Sequence, residues 1–418
     1  MHRSTKTVLS VAVGLGALLI LGGLGIRTWR GIRPAVTSPA VPIGDLFPPS
    51  PKSSLLTSPR PSLGPTPGFP LKLPDGFSIT LYASGLQKPR ALALDPFGTP
   101  LVSDLEAGTV QALLDENGDG VAEKTIPLLT GLNKPHGLAF RGKELYVAEQ
   151  DKVVRYSYPA SRLTSTTFLE PFGRTKVLDL PRGGSHTTRT IAFGPDGMLY
   201  VSIGSSCNVC RERDERRAAI LRVDPETGKS ERWAWGLRNT VFFTFHPETG
   251  AMLGNDMGRD FLGDELPPDE LNVITSGDYG WPYCYGRQVR DPFGAHPQGC
   301  ETTAASLYDY PAHVAPLGIR FIPETFSKEW AGDLLVAFHG SWNRSTPIGY
   351  QVVRLDIDGD RVTSMEDFLT GFLGENGRAL GRPVDLLFTD DGALLISDDH
   401  AGAIYRVTAT PTTVSPAL

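Results

Sequence analysis

The chain has 418 residues, 40% of them hydrophobic, with 46 glycines and 35 prolines. That is enough apolar side chain for a large core, and a heavier load of turn formers than a helical protein carries. Its net charge of −6 hides an asymmetry: residues 1–70 hold seven Lys/Arg against one Asp, which leaves 33 Lys/Arg against 45 Asp/Glu, a net −12, for the rest. So acidic a body excludes general nucleic-acid binding, and no nucleic-acid partner is expected.

Residues Val8–Ile26 form a nearly uninterrupted apolar run of 19. At helical rise this length crosses a bilayer core of roughly 30 Å. Arg3 and Lys6 precede it and Arg27, Arg30 and Arg33 follow, so charge leaves orientation open. A cleaved signal peptide is the rival reading. The run lacks a clear A-x-A site and a lipid-accepting Cys, which favours an uncleaved transmembrane helix within a membrane anchor, residues 1–30. Residues 31–73 are Pro- and Ser-rich without apolar periodicity and read as a disordered linker. The folded domain is expected over 74–408, with a short tail over 409–418. The expected location is outside the cytoplasm, on a membrane-anchored stalk.

Within the domain, Gly85–Arg90 (GLQKPR) and Gly131–His136 (GLNKPH) nearly match, and each leads into an apolar strand, a turn and a second strand. Taking the last apolar residue of that first strand as a marker gives Leu94, Phe140, Phe193, Phe245, Phe321 and Phe388, at spacings of 46, 53, 52, 76 and 67. Several repeats close on a further strand such as VVRY, AILRV, YQVVRL or AIYRV. No long amphipathic helical pattern follows residue 75. Six irregular repeats of mostly four short strands predict an all-β, six-bladed β-propeller; a β-sandwich with chance similarity is the alternative.

In a propeller the innermost strand of each blade lines a central channel, and the loops entering those strands ring one mouth. The polar residues just before the markers are Arg90, His136, His186 with Arg189, Arg238 with Asn239, His313 and Arg382. A ring of cations and imidazoles on an acidic protein points to a small polyanion at the channel mouth. The stretch Gly183–Tyr200 (GGSHTTRTIAFGPDGMLY) stands out, because it crowds Ser185 to Arg189 ahead of an apolar strand that needs no such groups.

Downstream, Asn255–Asn272 carries six carboxylates in 18 residues broken by Gly and Pro. Hard oxygen ligands in an irregular loop suit Ca2+, through side chains or backbone carbonyls. Asp115-x-Asn117-x-Asp119-Gly120 lacks the Glu of a helix–loop–helix calcium site and reads as a turn, as does Asp356–Gly359. Of the four cysteines, Cys207 and Cys210 form a C-x-x-C with Arg211 where haem attachment needs His. A zinc site would need Cys284 and Cys300 beside that first pair. An even count behind an export segment favours the disulfides Cys207–Cys210 and Cys284–Cys300.

The ordered series GGSH…FGPDG-x-LYVSIG, WGLRN, DELN…GDYGWP, HGSWNR and GRPVD resembles the pyrroloquinoline quinone-dependent sugar dehydrogenases, over roughly residues 74–408. That family includes the soluble glucose and the sorbosone dehydrogenase-like enzymes. The resemblance implies a six-bladed propeller holding the quinone, a tricarboxylate, over its channel with one Ca2+. It makes His186 the general base, and gives Arg238, Asn239 and Arg382 to the cofactor. The backbone carbonyls of Gly258 and Arg259 go to the calcium, with Asp269 supporting their loop. Val384 stands where the family has a second arginine, and Arg344 in HGSWNR substitutes for a cofactor-binding lysine. Ser185 replaces an Asp of the glucose enzymes, which bears on the choice of sugar. His136 and Arg189 join the cofactor set through the ring of cations. The implied reaction is oxidation of a sugar, or a related hydroxy or aldehyde compound, by hydride transfer to the quinone. Electrons then pass to an external acceptor. Two other classes fit a propeller: a calcium-dependent lactonase-type hydrolase, whose channel would carry carboxylate and Asn ligands, and a non-catalytic binding module.

Overall fold

The computed structural model describes residues 66–164 and 173–409. The apolar run Val8–Ile26, most of the linker and residues 410–418 of the expected tail lie outside the described residues; Ala409 belongs to the last strand. Six four-stranded antiparallel sheets form the body, with a fifth strand added to one of them. Their innermost strands are Pro89–Leu94, Leu138–Arg141, Arg189–Phe193, Thr240–Phe245, Pro316–Phe321 and Pro383–Phe388. Each touches the next around the ring, and the last touches the first. The sheets are therefore blades 1–6 of a closed propeller.

Closure is made between the chain's ends. Phe77–Ser84 pairs antiparallel with Ala403–Ala409 and completes blade 6 as its outermost strand. Ordered contact starts earlier than Pro74: Lys72 bridges to Thr370, and the Phe69 ring meets Phe372 at 5.9 Å and Tyr405 at 6.3 Å. Phe69, Leu71 and Leu73 pack on the blade 5–6 core, three apolar residues that the Pro-rich composition around them conceals.

Strand burial follows from blade packing. The second strand of blade 3, LYVSI, is buried at every position because a blade covers each face. The outer strand Ser230–Trp235 exposes its first three residues. Each Val, Leu or Ile buried between blades contributes about 1.5–3 kcal/mol. The long 76-residue spacing before Phe321 is filled by an insertion after Ile274, containing the hairpin Cys284–Tyr285/Val289–Arg290. Asp115–Gly120 is a turn between the outer strands of blade 1, its Asp115 carboxylate accepting the N–H groups of Gly118, Asp119 and Gly120. Asp356–Gly359, expected as a turn, is instead the end of a strand: Asp356–Asp358 pair with the outermost strand of blade 5, and the chain reverses at Gly359–Asp360.

Both expected disulfides are present, Cys207–Cys210 and Cys284–Cys300, and no cysteine is free among the described residues. The second closes the insertion at a sequence separation of 16. Loop-closure entropy makes it worth about 3 kcal/mol. Replacing Cys284 and Cys300 together by Ala should lower denaturant-derived stability by about that amount, read by equilibrium unfolding; unchanged stability would refute it.

Candidate active site

One rule positions the mouth. In four blades the second strand ends on an acid, Asp104, Asp256 or Asp398, or is followed directly by one, Glu149, whose carboxylate accepts backbone N–H groups of the loop entering the inner strand. Asp104 takes Gln87 and Lys88, Glu149 takes Asn133, Asp256 takes Arg238 and Asn239, and Asp398 takes Arg382. Blades 3 and 5 break the rule, with Ile203 and Phe338 at the equivalent register. Breaks in a repeated local rule are where function is expected, and these two are followed by Gly204 and His339.

In blade 3 the entering loop is held through its carbonyls instead. Arg189 is fully buried and donates to Pro181 O (3.0 Å), His186 O (3.0 Å) and Thr188 O (2.7 Å). Arg217 donates to Arg182 O and Gly183 O at 2.7 and 2.8 Å. The imidazole of His186 is thereby set in place. Its Nδ1 lies 3.0 Å from Ser205 O and 2.9 Å from Ser205 Oγ. The Oγ proton goes to Cys207 O at 2.7 Å, so both Ser205 oxygens act as acceptors. We therefore assign the proton to Nδ1, leaving an unprotonated lone pair on Nε2. Burial first, then the charge of Arg238, push the His186 pKa down to about 3, against the bond it donates to Ser205. The ring is neutral at physiological pH.

Gly204 allows the central juxtaposition. A Cβ there would lie 2.3 Å from Asn239 Oδ1 and 2.6 Å from His186 Cβ, so only a bare backbone lets those two side chains flank it. Arg238 is 5% exposed, with Nε on Asn208 O (2.9 Å), NH1 on Met257 O (3.2 Å) and NH2 on Asn208 Oδ1 (2.9 Å) and Asp260 (3.3 Å). It joins the Cys207–Cys210 loop to the acidic loop, and presents charge rather than free donors. Arg382 is different. It rests over the Tyr350 ring at 4.9 Å and meets Tyr350 Oη (3.1 Å), Gly340 O (3.3 Å) and His339 Nδ1 (3.4 Å). Among the described residues no carboxylate pairs with it.

The other expected cofactor residues have protein partners of their own. His136 is fully buried in the channel wall, its ring 5.1 Å from Phe242 and its Nδ1 3.3 Å from Thr190 Oγ1. Arg189 holds carbonyls, as above. Arg344 bonds Asp264 O, Ala312 O (3.3 Å) and Glu265 (2.6 Å) on the outer rim; its guanidinium is engaged before any cofactor arrives. Arg90 pairs with Asp399 at 2.6 Å, and His313 with Gly263 O at 2.9 Å.

The six carboxylates of Asn255–Asn272 all have protein partners, so of the two kinds of ligand this stretch offers, the backbone carbonyls are the less committed. Asp256 holds Arg238 and Asn239, Asp260 pairs with Arg238, and Asp264 accepts from Ser345. Glu265 pairs with Arg344, and Glu270 accepts from Gly286 and Asn272. Asp269 accepts the N–H groups of Gly258 and Ala315, each at 2.8 Å, and so pins the Gly258–Arg259 segment. The Arg259 side chain is drawn away to Asp291 at 3.0 Å. What that segment can offer a cation is backbone carbonyl oxygen.

Burial pushes Asp256 up to about 6, Asp269 to about 7 and, with the Asp256 charge added, Glu270 to about 8. An unfolded Glu titrates at about 4.3. Between the two values the folded protein holds the Glu270 proton and the unfolded chain does not, so stability falls as pH rises through that window. Glu270→Gln should flatten this loss, so that its melting temperature gains on wild type as pH rises from 5 to 9; parallel curves would refute it.

Sequence reasoning missed several groups at this mouth. Arg217, Asn343, and the Asp399 and His339 that link Arg90 to Arg382, with His339 Nε2 at 2.8 Å from Asp399, gave no periodic signal. Asn343 is 4% exposed with neither amide atom hydrogen-bonded. A guanidinium without a carboxylate, an orphaned amide and a glycine cradle between His186 and Asn239 fit a polyanionic ligand with polar edges.

Comparison with known proteins follows the same lines. An uncharacterized protein of Borreliella burgdorferi is 34% identical over 351 residues, 81% of this chain and 90% of that one. A pyrroloquinoline quinone-dependent sugar dehydrogenase of Hypocrea jecorina is 26% identical over 79% of this chain and 87% of its own length. The holo form of the pyranose dehydrogenase PQQ domain from Coprinopsis cinerea superposes with a TM-score of 0.69 at 21% identity, covering 82% of this chain and 98% of that one, and shares the fold. The TrAA12-like family model matches residues 71–410, and the chain belongs to that family.

Proposed function

We infer that the protein is a quinoprotein dehydrogenase that oxidises a sugar hydroxyl, with pyrroloquinoline quinone as cofactor. The observation that carries this reading is the pairing, across Gly204, of an imidazole with a free Nε2 and the Asn239 amide, at a mouth where Arg382 lacks a carboxylate. When bound, the quinone supplies an electrophilic carbonyl that accepts a hydride. Arg382, Arg238 and Asn239 would hold it, the arginines through charge toward its carboxylates. Ca2+ would be held by the Gly258 and Arg259 carbonyls, on the segment Asp269 fixes, and supplies Lewis-acid polarisation.

The chain's own contribution is proton control. His186 Nε2 accepts the substrate hydroxyl proton while Nδ1–H stays on Ser205, which fixes tautomer and ring orientation. Asp256 holds the Arg238–Asn239 backbone, so Asn239 cannot drift from His186. The substrate carbon loses a hydride and its oxygen a proton, giving a carbonyl or lactone product; the electrons leave to an external acceptor.

The test is reconstitution with pyrroloquinoline quinone and Ca2+, then a scan of sugars and aldehydes with an artificial electron acceptor. Cofactor-dependent reduction supports the reading, and hydrolysis of a lactone without cofactor would replace it. We place the domain outside the cytoplasm on the Val8–Ile26 anchor, a reading supported by the apolar run and the two disulfides. Protease added to intact cells should release the domain; full protection would refute outward display.

A further inference from the structure

We propose that Trp342 is a stacking platform for the sugar unit adjoining the one oxidised, so that the enzyme is shaped for saccharides longer than a monosaccharide. This rests on the dehydrogenase reading above. Trp342 is 64% exposed, more than any other large hydrophobic side chain among the described residues. Its neighbours Ser341 and Asn343 are each 4% exposed, so the local backbone buries one residue either side and turns the indole outward.

The presentation is stiff. Ser341 N donates to Ile348 O at 2.9 Å, Ile348 N returns to Ser341 Oγ at 3.0 Å, and Tyr350 Oη bonds Ser341 O. From the opposite loop, Phe261 sets its ring at 90° to the indole, 5.8 Å between centroids. Phe261 has φ +72, a left-handed conformation that is costly for an aromatic residue. It follows Asp260, which is tied to Arg238 and to Asn208 Oδ1. Arg344 then sews the two loops together through Glu265 and Ala312 O. The engagement of Arg344 on the rim thus has a consequence: it makes the blade 4 and blade 5 loops one wall, with Trp342 standing on it.

The chemistry of the wall points to carbohydrate. An isolated indole is too small for a protein interface, which needs hundreds of Å2 of contiguous surface. It matches the apolar C–H face of one pyranose, and the exposed Glu265 and Ser345 of the same two loops, though bonded to Arg344 and Asp264, keep polar atoms at the surface for hydroxyls. The ring giving up its proton must reach His186, which is half-buried within the mouth. What meets a rim residue as exposed as Trp342 is the next ring. A platform already rigid adds affinity without an ordering cost.

The test compares holoenzyme of wild type, Trp342→Ala and Trp342→Phe, loaded with pyrroloquinoline quinone and Ca2+, on glucose, cellobiose, maltose and their trisaccharides. Trp342→Ala should raise KM for the oligosaccharides about tenfold with kcat kept, the scale of one lost aromatic contact. Glucose should change by less than about twofold, and Trp342→Phe should restore most of the loss. An equal KM change on glucose and the oligosaccharides, or none, overturns the platform. Electrophoresis through gels containing soluble glucan gives a second readout independent of turnover. Wild type should be retarded and Trp342→Ala should not; equal mobility overturns the proposal. Were the loaded wild type to oxidise no sugar, the dehydrogenase reading would fail and the gel alone would still decide on Trp342.

Discussion

Replacing His186 with alanine lowers turnover by about 100- to 10,000-fold, the scale of a lost general base, while quinone affinity changes little. The expectation comes from what surrounds the ring. Ser205 accepts the Nδ1 proton and so leaves Nε2 as the lone pair at the mouth. Among the described residues named at this mouth, no other group is placed to do this work. Asp256 and Asp269 are committed to backbone N–H bonds. His339 has Asp399 on Nε2 and Arg382 on Nδ1, and the arginines stay protonated. Reconstitution titration followed by turnover at saturating cofactor separates the effects. Full turnover with weakened cofactor binding would mean that His186 is an anchor, not a base.

Replacing Arg382 with alanine acts in the opposite way: quinone affinity falls by roughly 10- to 150-fold, the worth of a hydrogen bond to a charged group, and turnover at saturating cofactor is largely kept. Arg382 suits this test better than Arg238. Its guanidinium is held by neutral groups only, the Tyr350 ring and hydroxyl, Gly340 O and His339. Arg238, by contrast, has all three nitrogens on Asn208, Met257 and Asp260, so removing it also loosens the wall. Fluorescence or absorbance titration with the quinone reads the Arg382 effect directly. Unchanged affinity would assign the cofactor's carboxylates to other donors.

The architecture was legible because the repeat writes itself in apolar markers. Leu94, Phe193, Phe245, Phe321 and Phe388 each end an innermost strand, and Phe140 stands one residue before the end of its own. Spacing also placed the polar residues before those strands, but it could not say what each side chain touches. Arg189 and Arg344 look alike in sequence to Arg382, yet one holds three carbonyls beneath His186 and the other laces the rim. In Asn255–Asn272 the number of carboxylates is visible in sequence, but their N–H and arginine partners, which leave the backbone carbonyls as the less committed ligands, are not. The recurring terminal acid was in plain view in LVSD, YVAE, GND and ISD. Its meaning came from the hydrogen bonds, and with it the reason that blades 3 and 5, lacking the acid, carry His186 and His339. The same bonds weigh against a lactonase site, since those acids face the backbone.

The central claim is that this mouth passes electrons from a sugar to a bound quinone with His186 taking the proton. The most direct measurement is anaerobic: load the protein with one equivalent of pyrroloquinoline quinone and Ca2+, add a panel of sugars without any acceptor, and follow the cofactor spectrum. The bound cofactor should convert to its reduced form with at least one sugar in wild type, and about 100-fold or more slowly in His186→Ala at equal cofactor occupancy. A cofactor that binds stoichiometrically but stays oxidised with every sugar, or is reduced equally fast in the two proteins, would contradict the claim.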